Sequence, residues 1–75
     1  MNQNDRILQF MDENGWITPI EAMKYLGIMR LAARIFDIRS KMGIPIEEET
    51  VFTQGLYGKV HYSKYRRLDN AKQDY

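Results

Sequence analysis

The hydrophobic positions near the start of the chain repeat at helical spacing. Ile7, Leu8, Phe10 and Met11 gather on one side, with Arg6, Gln9, Asp12 and Glu13 opposite. The pattern predicts a first helix over Asn4–Asn14. Asn4 serves as its N-cap, Asp5 sits in the first turn where the helix dipole favours an acid, and Gly15 stops it. Trp16-Ile17 is long enough only for a bridge or a two-residue strand. Thr18-Pro19-Ile20-Glu21 then signals a second helix: Thr18 caps, Pro19 sits where its missing N–H is not needed, and Glu21 closes a capping box. This helix is expected to reach about Leu26, with Ile20, Met23 and Leu26 on its apolar side and Ala22 small enough for a close helix contact. Gly27-Ile28 breaks the pattern. A longer helical pattern follows from near Met29 to Met42 and is stopped at Gly43, a length of about 21 Å at 1.5 Å per residue.

A short capped helix, a glycine-containing turn and a longer helix have the layout of a helix-turn-helix unit. Leu26 and Ile28 flank the turn, and Ile35 and Ile38 supply the apolar positions inside the third helix. Beyond Gly43 the texture changes. Ile44-Pro45-Ile46 is extended, because proline disfavours helix in the residue before it. Glu47-Glu48-Glu49 leads into the β-branched and aromatic run Thr50-Val51-Phe52-Thr53. Gln54-Gly55-Leu56-Tyr57-Gly58 reads as a turn, and Lys59-Val60-His61-Tyr62-Ser63 as the returning strand. The expected fold is mainly α with a β-hairpin (α+β): a three-helix core plus a wing, one domain over residues 1–68, and a flexible polar tail over residues 69–75. Val60 and Tyr62 are expected to complete the core from the hairpin, and Trp16 to fill the gap between the first helix and the hairpin.

Composition narrows the chemistry. Seventy-five residues hold one domain, and the absence of cysteine removes disulfides, thiolate metal sites and a Cys nucleophile. The single histidine, His61, cannot form a His pair for zinc and has no Ser or Cys elbow near it. The three adjacent glutamates alternate faces on a strand, so they do not converge on one ion; they read as a solvated run or an acidic docking patch. No Gly-rich phosphate loop follows a strand. No enzyme, cofactor, metal or small-molecule substrate is expected. No apolar run approaches the ~20 residues of a membrane span, and the polar start does not resemble a secretory signal, so a cytoplasmic location is the expectation.

The formal net charge of +1 argues at first against a nucleic-acid partner. Its distribution argues the reverse. Residues 1–27 carry a net −2, residues 28–43 +3, residues 44–54 −3, residues 55–68 +4 and the tail −1. On a helical wheel Arg30, Arg34, Asp37 and Lys41 fall within about 60° of one another, beside a core stripe of Leu31, Ile35, Ile38 and Met42. Arg forks suit phosphate oxygens and the O6/N7 edge of guanine, and a helix fits the major groove. Met29, Arg30, Ala33 and Arg34 are the expected base-edge residues, Ala33 through contact with a thymine methyl. Asp37 shares the stripe, and Lys41 lies nearer the backbone. Arg39 points toward the far side of the wheel and reads as a structural or interface residue and not as a base reader. The plain alternative is a solvated face with Arg34/Asp37 and Asp37/Lys41 as ordinary intrahelical pairs. The hairpin adds Lys59, His61, Lys64, Arg66 and Arg67, interleaved with Tyr57, Tyr62 and Tyr65. Lys59, His61, Lys64 and Arg66 are the expected backbone contacts there, against the alternative that these residues only keep an edge strand soluble.

Trp16 to Ile46, with the helix start "ITP-EA", the turn and helix "LGI-RLAARI-D-R" and the exit "G-PI", resembles the small winged helix-turn-helix proteins common in bacteriophages and prophages. Lys64-Tyr65-Arg66-Arg67-Leu68 is similar to the basic last strand of that family, and the resemblance covers roughly residues 4–68. It implies a phage or prophage origin, a three-helix core with a β-wing, and double-stranded DNA as partner. The expected role is a transcriptional regulator or accessory DNA-binding factor, with Thr18 near a phosphate and a homodimer or helper protein supplying further contacts. The rival expectation is a winged-helix protein-interaction module, such as a phage factor docking on a host protein through the acidic run and the exposed Tyr57 and Tyr65.

Overall fold

The elements run α1 (Gln3–Asn14), α2 (Pro19–Leu26), α3 (Leu31–Ser40), β1 (Ile46–Gly55) and β2 (Gly58–Arg67) in the computed structural model, which describes residues 2–68. The polar segment 69–75, expected as a flexible tail, lies outside the described residues. α1 is capped by Asn2, whose side-chain oxygen accepts from the Asp5 N–H at 2.8 Å; Asn4, the expected cap, sits inside the first turn. Both asparagines suit the role, and capping from Asn2 adds the Arg6 N–H···O=C Asn2 bond (3.2 Å) to the helix. The Thr18 capping box forms as expected. The Glu21 N–H donates to Thr18 Oγ1 at 3.2 Å, and the Thr18 N–H donates to Glu21 Oε1 at 3.1 Å.

α2 ends on a left-handed glycine followed by an isoleucine, and the turn that follows α3 repeats the pair at Gly43-Ile44. The Ile28 N–H reaches back to the Ala22 carbonyl (3.0 Å), and the Ile44 N–H to the Ile38 carbonyl (3.2 Å). Gly27 and Gly43 make this possible at φ +70° and +69°. The run-out toward Gly43 shortens α3. It spans ten residues, Leu31–Ser40, or about 15 Å, and not the expected Met29–Met42. Arg30 takes the N-cap position without a side-chain bond, and Met42, expected in the core stripe, is left exposed beyond the last turn.

The core consists of Ile7, Leu8 and Met11 of α1, Ile17, Ala22 of α2, Ile28, Leu31, Ile35 and Ile38 of α3, and Ile46 and Tyr65 from the base of the hairpin. Phe10, Leu26 and Ile44 pack around it. Ala22 alone of α2 is buried; Ile20 and Met23, expected on its core side, are exposed. An eight-residue helix seated through Ala22, with Leu26 packed at its end, comes close to its neighbours and turns Ile20, Met23 and Tyr25 outward.

β1 and β2 pair antiparallel from Ile46↔Arg67 to Gly55↔Gly58, so the turn is only Leu56-Tyr57. Its tightness depends on two glycines. Gly58 has φ +134°, and a Cβ on Gly55 would lie 3.0 Å from the Gly58 carbonyl oxygen and from Val60 Cγ1. Ile17 adds a one-residue third strand, exchanging two 2.9 Å hydrogen bonds with Tyr65. That bridge decides which face of β2 points inward. Tyr65 is buried, whereas Tyr62, expected in the core, lies on the opposite face and is 39% exposed. Arg39 pins the hairpin base to α3 by donating from Nη2 to the Ile46 carbonyl at 2.8 Å, the structural role its wheel position suggested. Ten-residue strands span about 33 Å, and only Ile46 and Tyr65 at their base are buried, so the distal half projects from the body.

Candidate nucleic-acid interface

Three elements meet on one side of the molecule. Thr18, Pro19, Ile20 and Met23 of the α2 start, Met29 before α3, and Tyr62 of β2 line a half-open groove of about 580 Å³. A shallower depression beside it is lined by Met29, Arg30, Ala33 and Arg34. The beginning of α2, Met29 before α3 and the hairpin therefore border a common groove. Thr18 is half-buried there, with its hydroxyl already held against Glu21 Oε1 at 3.2 Å.

The basic stripe of α3 divides in two. Arg34, Asp37 and Lys41 form a single ion-pair trio, with Arg34 Nη2 3.1 Å and Lys41 Nζ 3.8 Å from the Asp37 carboxylate. Arg30 is exposed and, among the described residues, has no ion pair. The direction opposite the buried Leu31–Ile35–Ile38 stripe falls, at about 100° per residue, on Ala33, Phe36 and Ser40. Phe36 is 66% exposed and Met29 75%. Phe36 stands outside the charged stripe, so charge spacing round the wheel does not reveal it. The signal was present: Phe36 is three residues after Ala33, on the helix face away from the core stripe.

The hairpin cations are placed differently from one another. Cross-strand register sets Glu47 against Arg66 and Glu49 against Lys64. Arg66 donates to Glu47 Oε1 from Nε (3.1 Å) and Nη2 (2.6 Å), and Lys64 Nζ lies 3.7 Å from Glu49. Both cations also cover Trp16, at 4.3 Å for Lys64 Nζ and 4.6 Å for Arg66 Cζ from the ring centroid. Glu48 accepts from the Ser63 hydroxyl at 2.8 Å and lies 3.9 Å from Arg39. Each glutamate of the acidic triplet thus has a partner on the hairpin or α3, while Glu48 and Glu49 stay exposed to solvent. Trp16 is the platform of a charged ladder on the outer face of the hairpin base. Arg67, on the inner face, reaches Asp12 of α1 at 3.7 Å. Farther out, His61 packs beside Phe52 (centroids 5.7 Å apart), and Lys59 is exposed without an ion pair among the described residues.

The structure brings Thr18, Met29, Arg30, Ala33 and Arg34 to one side and ties Asp37 and Lys41 to Arg34. Lys64 and Arg66 pair with the glutamate ladder, whereas the expected contact residues Arg30 and Lys59, like Arg6 and Lys24 elsewhere, have no carboxylate partner among the described residues. Among the described residues no three His, Cys, Asp or Glu side chains come together as a metal site, and no helix is long and apolar enough to cross a membrane. No match is found among curated proteins or among solved structures. The family model described as a winged helix-turn-helix domain matches residues 2–66, from the cap of α1 to the last residue but one of β2. Three helices followed by an antiparallel hairpin are the architecture it describes. The chain belongs to the winged helix-turn-helix domain family, a DNA-binding architecture.

Proposed function

We propose that the chain binds double-stranded DNA with α3 in the major groove and the hairpin along the adjacent backbone, as a small phage or prophage regulator or accessory DNA-binding factor. The observation that carries this reading is the convergence of Met29 and Tyr62 on one groove with the α2 start, which turns helix and hairpin toward the same partner. Arg30 and Arg34 supply guanidiniums at the leading end of α3, where a recognition helix meets base edges. Thr18 lies at the groove margin, within reach of a phosphate. Lys59 and His61 extend the contact outward, and Lys41, Lys64 and Arg66 join where a phosphate outcompetes their carboxylates. The protein acts by binding, without catalysis. A single small module buries only about 600–1,000 Å² of protein surface on DNA, so pairing with a second copy or a helper protein completes a tight site.

Fluorescence anisotropy on random-sequence duplex over a series of salt concentrations tests this. The expected result is affinity that falls steeply with salt, with a log–log slope of about −0.9 per neutralised phosphate. Arg30→Ala with Arg34→Ala should abolish measurable binding while the circular dichroism spectrum is unchanged. A second reading, a protein-docking module, is favoured by the exposure of Ile20, Met23 and Tyr62 around the groove. Absence of duplex binding at low salt would overturn the first reading in favour of the second.

A further inference from the structure

The outward side of α3 is uncharged: it carries half-buried Ala33, exposed Phe36 and Ser40, with Met29 exposed just before the helix. Met29 precedes the helix and borders the same depression as Ala33, and Phe36 follows Ala33 by three residues on the face opposite the core stripe. Arg30, Arg34 and Lys41 lie along one flank of this line. The only acid on that flank, Asp37, is matched by two of them. On the other flank Arg39 is drawn away into the hairpin base. An exposed phenylalanine and methionine beside a row of cations match one surface closely: the floor of the major groove, where the C5-methyl of thymine is the apolar group on display, bordered by phosphates. An acidic or neutral protein surface would satisfy the ridge or the cations, but the alternation of apolar floor and anionic edge is that of duplex DNA.

We propose that the Met29–Ala33–Phe36 ridge reads thymine C5-methyl groups in the major groove, making the domain selective for A·T-rich duplex through methyl contact. This rests on the DNA-binding reading above and adds to it the base class being read. Ala33 and Phe36 belong to the residue types that contact that methyl group well. Each methyl removed from water against such a ridge is worth about fourfold in affinity.

The test compares two alternating duplexes of identical length, one of dA·dT and one of dA·dU, which differ only in the methyl group. Wild-type protein should bind the thymine duplex about fourfold to fifteenfold more tightly, for one to two methyls covered. Phe36→Ser, an exposed position whose change leaves the core intact, should lose most of this discrimination by weaker binding of the thymine duplex. A duplex with 5-methylcytosine should likewise exceed its cytosine counterpart. Equal, salt-dependent binding of the thymine and uracil duplexes by the wild type would overturn the methyl-reading ridge and leave the DNA-binding reading standing. Binding to neither duplex at low salt would overturn both. Discrimination that persists undiminished in Phe36→Ser would remove the ridge as its source.

Discussion

Asp37→Asn tests whether the basic flank of α3 faces phosphates. The carboxylate is the only acid on that flank and holds Arg34 at 3.1 Å and Lys41 at 3.8 Å, while the side chains of the two cations stay 36% and 75% exposed. Pairs this open to solvent contribute only about 0.2–1 kcal/mol each, so the variant stays folded. The asparagine is nearly isosteric, removes one negative charge from the flank and raises the formal net charge from +1 by one unit. If α3 lies against DNA, a repulsive charge disappears and two cations are freed. One additional phosphate contact steepens the log–log salt slope by about 0.9 and, at 50 mM salt, is worth about a factor of ten. Partial engagement gives about threefold. Anisotropy titrations of wild type and variant on the same random duplex at 50, 100 and 200 mM salt measure both quantities. Tighter binding with a steeper slope is expected. Unchanged affinity would mean the flank does not approach phosphate. Weaker binding with an unchanged slope would mean that Asp37 serves the interface by holding Arg34 in place, and the proposed electrostatics of α3 would be wrong.

Ile38→Ala removes a fully buried side chain from the seam between α3 and the rest of the core; the expected loss is about 2–5 kcal/mol, read as a fall in Tm of at least about 10 °C by circular dichroism. A loss under about 1 kcal/mol would show that the core closes without it. Thr18→Ala removes the side-chain half of the capping box, the Oγ1 that accepts from the Glu21 N–H, and keeps the backbone N–H that donates to Glu21 Oε1. It should cost about 1 kcal/mol, seen as a lower urea midpoint with unchanged m-value; an unmoved midpoint would show that Glu21 and Pro19 start α2 unaided.

Much of the body was legible because its signals are local. The Thr18–Glu21 box, Pro19 at the first helical position and the two Gly-Ile turns each act within a few residues, and Ile35 and Ile38 follow from helical period alone. What escaped depends on contacts between segments distant in the chain. Tyr62 and Tyr65 stand three apart on one strand and so face opposite ways. Only the Ile17 bridge decides that Tyr65 is the inward one. Ile20 and Met23 look like a core face within α2 because periodicity cannot distinguish a core from a groove open to the hairpin. Residues 55–68 carry +4, but the register sets two of those cations opposite glutamates of residues 44–54, so the block charge overstates what the hairpin offers to DNA. On α3 the stripe of charge was visible, while the more exposed Phe36 became evident once the core side of the helix was fixed.

Trp16 is the sole tryptophan of the chain, and its indole lies under Lys64 and Arg66 where the hairpin leaves the body. Its emission therefore comes from that junction alone. Drawing either cation off the ring, by a phosphate that competes for it or by a change in hairpin tilt, alters the field on the excited indole and shifts its spectrum. The protein carries a label-free optical gauge at the root of its projecting arm, and occupancy of that arm can be followed in real time without attaching a dye.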